Sequence, residues 1–143
     1  MFNSPTKGEL TVEEVIGDVS NFVKDEPGSY YRLVIGTDSQ IKSVGGKPQI
    51  DYVTAVVIHR KGRGARYFWK KEKKDKVPVL RDKIYTETLI SLSTAQELVP
   101  LFRKAISPAK YDFEIHIDVG PIGPTRDMIK EVVGMVQGNG FTA

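Results

Sequence analysis

The chain contains no cysteine, which excludes disulfides and zinc sites built on thiolates and is typical of a reducing compartment. No apolar run approaches the roughly 20 residues that a membrane-spanning helix needs. The first ten residues, MFNSPTKGEL, also lack the apolar core of a signal peptide. We therefore expect a cytoplasmic protein without a membrane partner.

The composition indicates one globular domain. The chain has 143 residues, of which 40% are hydrophobic and 27% charged, as is typical of a single domain with a packed core. We predict one domain over residues 1–143, with an accessory N-terminal helix in residues 1–28. Thr11 and Glu14 have the spacing of a capping box, which places the start of that helix at Thr11.

The remaining patterns predict an α/β fold with a mixed sheet. Strand-like runs cover residues 30–40, 50–60 and 66–71, and their short connections predict a three-strand antiparallel meander. A long helix should follow Pro78, with a kink or break at Pro100. It leads to a fourth strand over residues 112–118. A strand–helix–strand connection within one sheet implies that the fourth strand lies beside the first, parallel to it, with the helices packed on the sheet.

Three acids occupy positions where buried elements end or face inward. The apolar runs of the first and fourth predicted strands end at Asp38 and Asp118, and Glu87 lies on the apolar stripe of the long helix. Converging carboxylates repel one another, and Mg²⁺ or Mn²⁺ relieves that repulsion because hard cations prefer carboxylate oxygens. Two such ions about 4 Å apart support phosphodiester cleavage. We therefore predict all three acids as metal ligands and catalytic residues.

Each acid taken alone has a simpler interpretation. Asp38 and Asp118 stand in sequences that are typical of turns, and Glu87 would be a surface residue if the helix phase were different. Only their joint placement favours a metal site. His116 shares a predicted strand face with Asp118, but we interpret it as a hydrogen-bonded core residue.

A basic segment follows the second predicted strand. Residues 60–76 hold nine lysines or arginines and two acids, whereas the net charge of the whole chain is +3. Tyr67, Phe68 and Trp69 lie within it, and basic residues interleaved with aromatics suit a nucleic-acid backbone and its bases. The alternative is a solvated hairpin whose alternate aromatics face the core. The predicted nucleic-acid-binding residues are Arg60, Lys61, Arg63, Arg66, Lys70 and Lys71.

Taken together, these features resemble the ribonuclease H-like superfamily and, more narrowly, its YkuK-type family. The resemblance covers nearly the whole chain through NSPTKGELT, VIGTDSQ, VTAVVIHRKGRGARYF, YTETLISLS and EIHIDVGPIGPTRDMIKEVVGMVQGNGF. It implies a mixed sheet and divalent-metal phosphodiester chemistry. It also implies that Asp38 is the first-strand acid that bridges two metal ions, Glu87 the helix acid and Asp118 the fourth-strand acid.

The chain departs from the superfamily pattern after the fourth strand, because superfamily nucleases usually add a fifth strand, a last helix and a fourth acid. The C-terminus is therefore either truncated or naturally short, and a missing last strand would leave an exposed sheet edge that favours a homodimer. The leading hypothesis is a Mg²⁺- or Mn²⁺-dependent nuclease acting on RNA, DNA or an RNA/DNA hybrid. The alternative is a catalytically incomplete nucleic-acid-binding or interaction domain. A nucleotide-binding protein ranks below both, because a single small domain has no second lobe to close over a nucleotide.

Overall fold

The computed structural model describes residues 1–26, 28–62, 64–75, 77–78, 80–107, 111–117 and 126–141. At residues 80–81 and 126–129 only the backbone is described. The strands are β1 (Phe2–Ser4), β2 (Gly8–Leu10), β3 (Tyr31–Val44), β4 (Lys47–Arg60), β5 (Ala65–Lys74) and β6 (Tyr111–His116). The helices are α1 (Val12–Asp25), α2 (Leu80–Ile106) and α3 (Arg126–Gly138). Over the described residues, the strands form one mixed sheet in the order β2-β1-β5-β4-β3-β6.

The predicted antiparallel meander is confirmed as β3, β4 and β5, but its first hairpin is longer than the sequence pattern indicated. Strands β3 and β4 have 14 residues each and remain paired as far as Val44 and Lys47. Gly45 and Gly46 form the two-residue turn with φ angles of 59° and 78°, which glycine adopts without steric cost. The polar residues next to this turn concealed the ends of both strands.

The predicted parallel neighbour is also confirmed. Strand β6 pairs with β3 in parallel, from Tyr31 opposite Tyr111 to Gly36 opposite His116. Helix α2 connects β5 to β6 and continues through Pro100, so a break at that residue was the wrong alternative. Pro100 and Gln96, whose carbonyl loses its helical partner, are both exposed, and water can satisfy that carbonyl.

All three helices pack on one side of the sheet, here called the helix face. The capping box is confirmed, because Thr11 Oγ1 accepts from the Glu14 N–H and Glu14 Oε1 accepts from the Thr11 N–H. Helix α1 contributes Val15, Val19 and Phe22 to the same hydrophobic cluster as α2 and the strands. The N-terminal segment is therefore more than an accessory helix. Its residues also form β1 and β2, which were not predicted because three-residue strands carry too little periodicity.

The opposite side of the sheet is here called the open face, because no helix covers it in the part of the chain that is described. Alternation along β3, β4 and β5 places small, aliphatic, aromatic, acidic and basic side chains there. Its central residues are Val34, Gly36, Asp38, Val53, Ala55, Val57, Tyr67 and Trp69. The two sides of one sheet thus differ sharply in how they are covered.

The end of α3 is closed by a glycine. The Phe141 N–H donates to the Val136 carbonyl and the Gly140 N–H donates to the Gln137 carbonyl, with Gly140 at a φ of 85°, which is a Schellman motif. The Phe141 ring packs edge-on against Phe113 of β6, 5.1 Å between centroids. This contact holds the last turn of α3 against the sheet.

Two further expectations concern membranes and partners. Among the described residues, none of the helices combines the length and apolar character needed to span a bilayer. The edges of the described sheet are β2 and β6. Dimerisation through such an edge stays a prediction.

Candidate functional site

Asp38 lies on β3, two residues beyond the last pair that β3 forms with β6. Strand alternation puts its side chain on the open face, opposite Val53 of β4, and the residue is exposed. Its Oδ1 accepts a hydrogen bond of 2.8 Å from the Ser39 backbone N–H. One carboxylate oxygen is thus oriented by the backbone at the point where β3 extends past β6.

Glu87 approaches the same part of β3 from the helix face. It lies on α2, is 6% exposed, and its Oε2 accepts a 2.5 Å hydrogen bond from the Ser39 hydroxyl. Burial raises the pKa of the neighbouring Tyr52 phenol; a hydrogen bond with Thr86 opposes that rise, and the Glu87 charge adds to it. The inward orientation predicted for Glu87 is confirmed.

Ser39 therefore joins the two acids. Its backbone N–H donates to Asp38 and its side-chain hydroxyl donates to Glu87. Sequence reasoning did not single out Ser39. The available signal was its position two residues after Thr37, on the strand face that meets α2.

A chain of buried hydroxyls lies beside Glu87 on the helix face, where Thr37 and Ser91 line a small cleft with it. Thr37 Oγ1 lies 3.1 Å from Thr54 Oγ1 and 2.7 Å from Ser91 Oγ, and all three residues are at most 5% exposed. Buried polar atoms must be hydrogen-bonded to avoid a desolvation cost. These mutual bonds let α2 pack closely on β3 beside a carboxylate.

Asp118, the third predicted acid, lies outside the described residues. The described segment that contains β6 ends at Ile117, and both Ile117 and His116 line a small cleft with Glu87, Thr37, Thr88 and Ser91. Within the described ranges no three His, Cys, Asp or Glu side chains group into a metal site. The structure thus brings Asp38 and Glu87 to a common neighbour, and the three-acid site stays a prediction.

His116 is not a core residue, contrary to the expectation. Its side chain is 56% exposed on the open face, and its Nε2 lies 3.0 Å from Glu114 Oε1. Arg32 donates to the other oxygen of Glu114. His116 and Arg32 together lower the pKa of Glu114, the hydrogen bond from His116 being the larger cause. The alternation of β6 does place Glu114 and His116 on the side opposite Phe113 and Ile115. The error was to treat that side as part of the core.

Arg60 does not belong to a basic surface. It is 9% exposed, and its guanidinium donates to the Phe22 carbonyl and to Tyr31 Oη at 3.3 Å. The guanidinium also lies 4.1 Å from the Phe22 ring centroid and 3.8 Å from Glu26. Arg60 therefore attaches α1 to the sheet, which corrects its predicted role.

The other predicted basic residues are divided between the two faces of the sheet. Arg66 contacts α1, with its guanidinium 4.6 Å from the Phe22 ring centroid, and Lys70 lies 5.7 Å from the Phe2 ring. Lys71 is on the open face and Lys61 is exposed in the turn after β4. Arg63 lies outside the described residues.

These features of fold and sequence define a class of protein. The chain belongs to the ribonuclease H-like family, which matches residues 14–143. Within that class it is of the YkuK type, because it is 31% identical over 153 residues to the protein named "Uncharacterized protein YkuK" of Bacillus subtilis (strain 168). The match covers 100% of this chain and 87% of that relative. No solved structure matches.

Proposed function

We propose that this protein is a divalent-metal-dependent nuclease that hydrolyses phosphodiester bonds in nucleic acid, with Asp38, Glu87 and Asp118 as its catalytic residues. The observation that carries the proposal is the buried carboxylate of Glu87, which shares Ser39 with Asp38 at the point where β3 extends past β6. A carboxylate kept at 6% exposure is costly. Buried ionisable groups of this kind are concentrated at functional sites.

The proposed site suits Mg²⁺ or Mn²⁺, because its donors are carboxylate oxygens and contain no sulfur. Asp38 and Glu87 would hold the ion from the open face and the helix face, and Asp118, next in the chain after Ile117, would complete the set. A bound ion of this kind activates water and stabilises the leaving oxygen. Ser39 acts as a positioning residue, since its two donors orient one oxygen of each acid.

Cleavage of labelled RNA, DNA and RNA/DNA hybrid in Mg²⁺, Mn²⁺ or EDTA tests the proposal. Asp38→Asn, Glu87→Gln and Asp118→Asn should each abolish metal-dependent cleavage, and Ser39→Ala should lower it by about 10- to 100-fold. Asp82→Asn is the matched control, because Asp82 is an exposed acid in the first turn of α2. Equal cleavage by the wild type and Asp38→Asn would refute the assignment.

Thermal unfolding with added Mn²⁺ gives a readout that does not depend on activity. At about 100 times the dissociation constant, bound metal stabilises by about 2.7 kcal/mol, which corresponds to a rise of several degrees in Tm. Glu87→Gln should remove this rise. Nucleic-acid binding with neither a metal-dependent Tm rise nor cleavage would instead favour the catalytically incomplete domain.

A further inference from the structure

Two aromatic side chains of β5 lie on the open face. The ring centroids of Tyr67 and Trp69 are 5.4 Å apart and their planes are inclined by 30°. Tyr67 is 40% exposed and Trp69 is partly exposed, whereas Phe68 between them is completely buried on the helix face. The aromatic run is thus divided, with one ring in the core and two presented outward.

A groove extends from these rings towards β3. Trp69 is opposite Ala55, which is opposite Gly36, and the small side chains at the last two positions leave space above the sheet. The resulting cavity of about 500 Å³ is lined by Tyr67, Ala55, Gly36 and Asp38, among others. Neighbouring strands are about 4.8 Å apart, so the groove crosses about 10 Å from β5 to β3.

Lysines border the groove on the hairpin side. Lys71 and Lys73 follow Trp69 on the open face and both are exposed. Lys71 is opposite Val53, which is in turn opposite Asp38, so a positive charge and the candidate catalytic acid lie in one row. Asp51 is 4% exposed and pairs with Lys42 at 2.8 Å and with Lys71 at 3.9 Å. It offsets part of this charge, but Lys73 adds to it.

We propose that the open face binds single-stranded nucleic acid, with bases stacked on Tyr67 and Trp69 and phosphates beside Lys71 and Lys73, so that the strand is led towards Asp38. Exposed rings next to lysines suit bases and phosphates together. Bases within a duplex already stack on one another, so this surface selects unpaired strands. The inference extends the proposed function by naming its substrate class, but it concerns binding alone and requires no metal.

The unmodified chain provides a direct test, because Trp69 is its only tryptophan. Oligonucleotides of about 12 nucleotides are titrated in EDTA while tryptophan emission and the anisotropy of a labelled strand are recorded. Single strands should quench Trp69 and bind at least about tenfold more tightly than the matched duplex, a difference of about 1.4 kcal/mol. Unchanged emission at saturation, or equal affinity for the duplex, would overturn the proposal.

Alanine substitutions separate stacking from other effects. Tyr67→Ala and Trp69→Ala should each weaken single-strand binding by about 5- to 150-fold. Tyr30→Ala is the matched control, since Tyr30 is 42% exposed and precedes β3 outside the groove. Thermal unfolding confirms that each variant is folded. A comparable loss from Tyr30→Ala would contradict the stacking role.

The charged border has its own readout. Replacing Lys71 and Lys73 together should lower the slope of log affinity against log salt by about 1.4, because each phosphate contact to a single strand contributes about 0.7. Lys104→Ala is the matched control, because Lys104 is an exposed residue of α2, and it should leave the slope unchanged. An unchanged slope in the double variant would show that phosphates do not lie beside these lysines.

Asp38→Asn distinguishes this inference from the proposed function. Retained single-strand binding with lost cleavage supports both. Binding without cleavage in the wild type would refute the nuclease and support the surface. Metal-dependent cleavage with no Trp69 quenching would refute the surface alone.

Discussion

Replacing Arg60 with methionine should separate a structural arginine from a nucleic-acid contact. The charged hydrogen bond to the Phe22 carbonyl is worth about 1.5–3 kcal/mol, and the desolvated contact with the Phe22 ring adds about 2 kcal/mol. The Glu26 pair is partly exposed and adds about 0–1 kcal/mol. Because one guanidinium makes all three contacts and methionine still packs there, we expect a net loss of about 3 kcal/mol.

The assay is thermal and chemical unfolding, followed by nucleic-acid binding well below the midpoint. A loss of about 3 kcal/mol lowers Tm by about 6–12 °C for a chain of this size. The matched control is Lys61→Ala, since Lys61 is the next residue and is exposed. It should leave Tm unchanged and weaken binding modestly. Wild-type stability in Arg60→Met, or a binding loss confined to it, would refute the assignment of Arg60 as a structural residue.

Three further predictions concern the close approach of β3 and β6 at Gly36, the Lys42–Asp51 ion pair and the N-cap of α1. A Cβ at Gly36 would lie 3.3 Å from the His116 carbonyl oxygen. Gly36→Ala should therefore displace the end of β6 and lower cleavage about tenfold or more. Stability measured by urea unfolding should fall by about 1–3 kcal/mol, so that the variant remains folded in the cleavage assay. The hydrogen bond from Lys42 lowers the pKa of Asp51. The Asp51 carboxylate therefore stabilises the fold above the ordinary carboxyl pKa, and this stabilisation is lost as pH falls through the lowered pKa. Asp51→Asn should reduce the loss of stability at acid pH in unfolding titrations. Thr11→Ala should cost about 1 kcal/mol in urea unfolding by removing the cap of α1, and a result indistinguishable from wild type would contradict the role of that cap.

Hydrophobic alternation was sufficient to predict the central sheet. Apolar periodicity located β3, β4 and β6, and the connections between them predicted their order in the sheet. The inward phase of Glu87 followed from its helical spacing. The apolar pattern missed the two short strands at the N-terminus and the extension of the β3–β4 hairpin. Strands β1 and β2 are too short to show a period, and the polar hairpin end shows little apolar alternation.

Only the site residues whose orientation follows from the periodicity of a strand or helix could be predicted from the sequence. The phase of Glu87 follows from its helical spacing. Asp38 was expected at a strand end, but β3 continues past it to Val44, and only β6 stops before it. Ser39 emerges only when α2 is packed on β3. Arg60 illustrates the opposite error. A count of charges along the chain cannot distinguish a residue that faces α1 from one that faces solvent, because alternation in a strand sends neighbouring side chains to opposite faces.

The long β3–β4 hairpin has a consequence for motion. Its last stretch, Lys42–Val44 paired with Lys47–Gln49, lies beyond the final β4–β5 pair at Ile50 and Lys74, so in the described residues it is a two-stranded ribbon. Such ribbons twist strongly and are marginally stable alone. Amide hydrogens should therefore exchange fastest near the turn and slow sharply towards Asp38, where three strands are joined. We therefore expect Asp38 to lie in the rigid, three-stranded part of the hairpin, while the two-stranded end near Gly45 and Gly46 moves more freely.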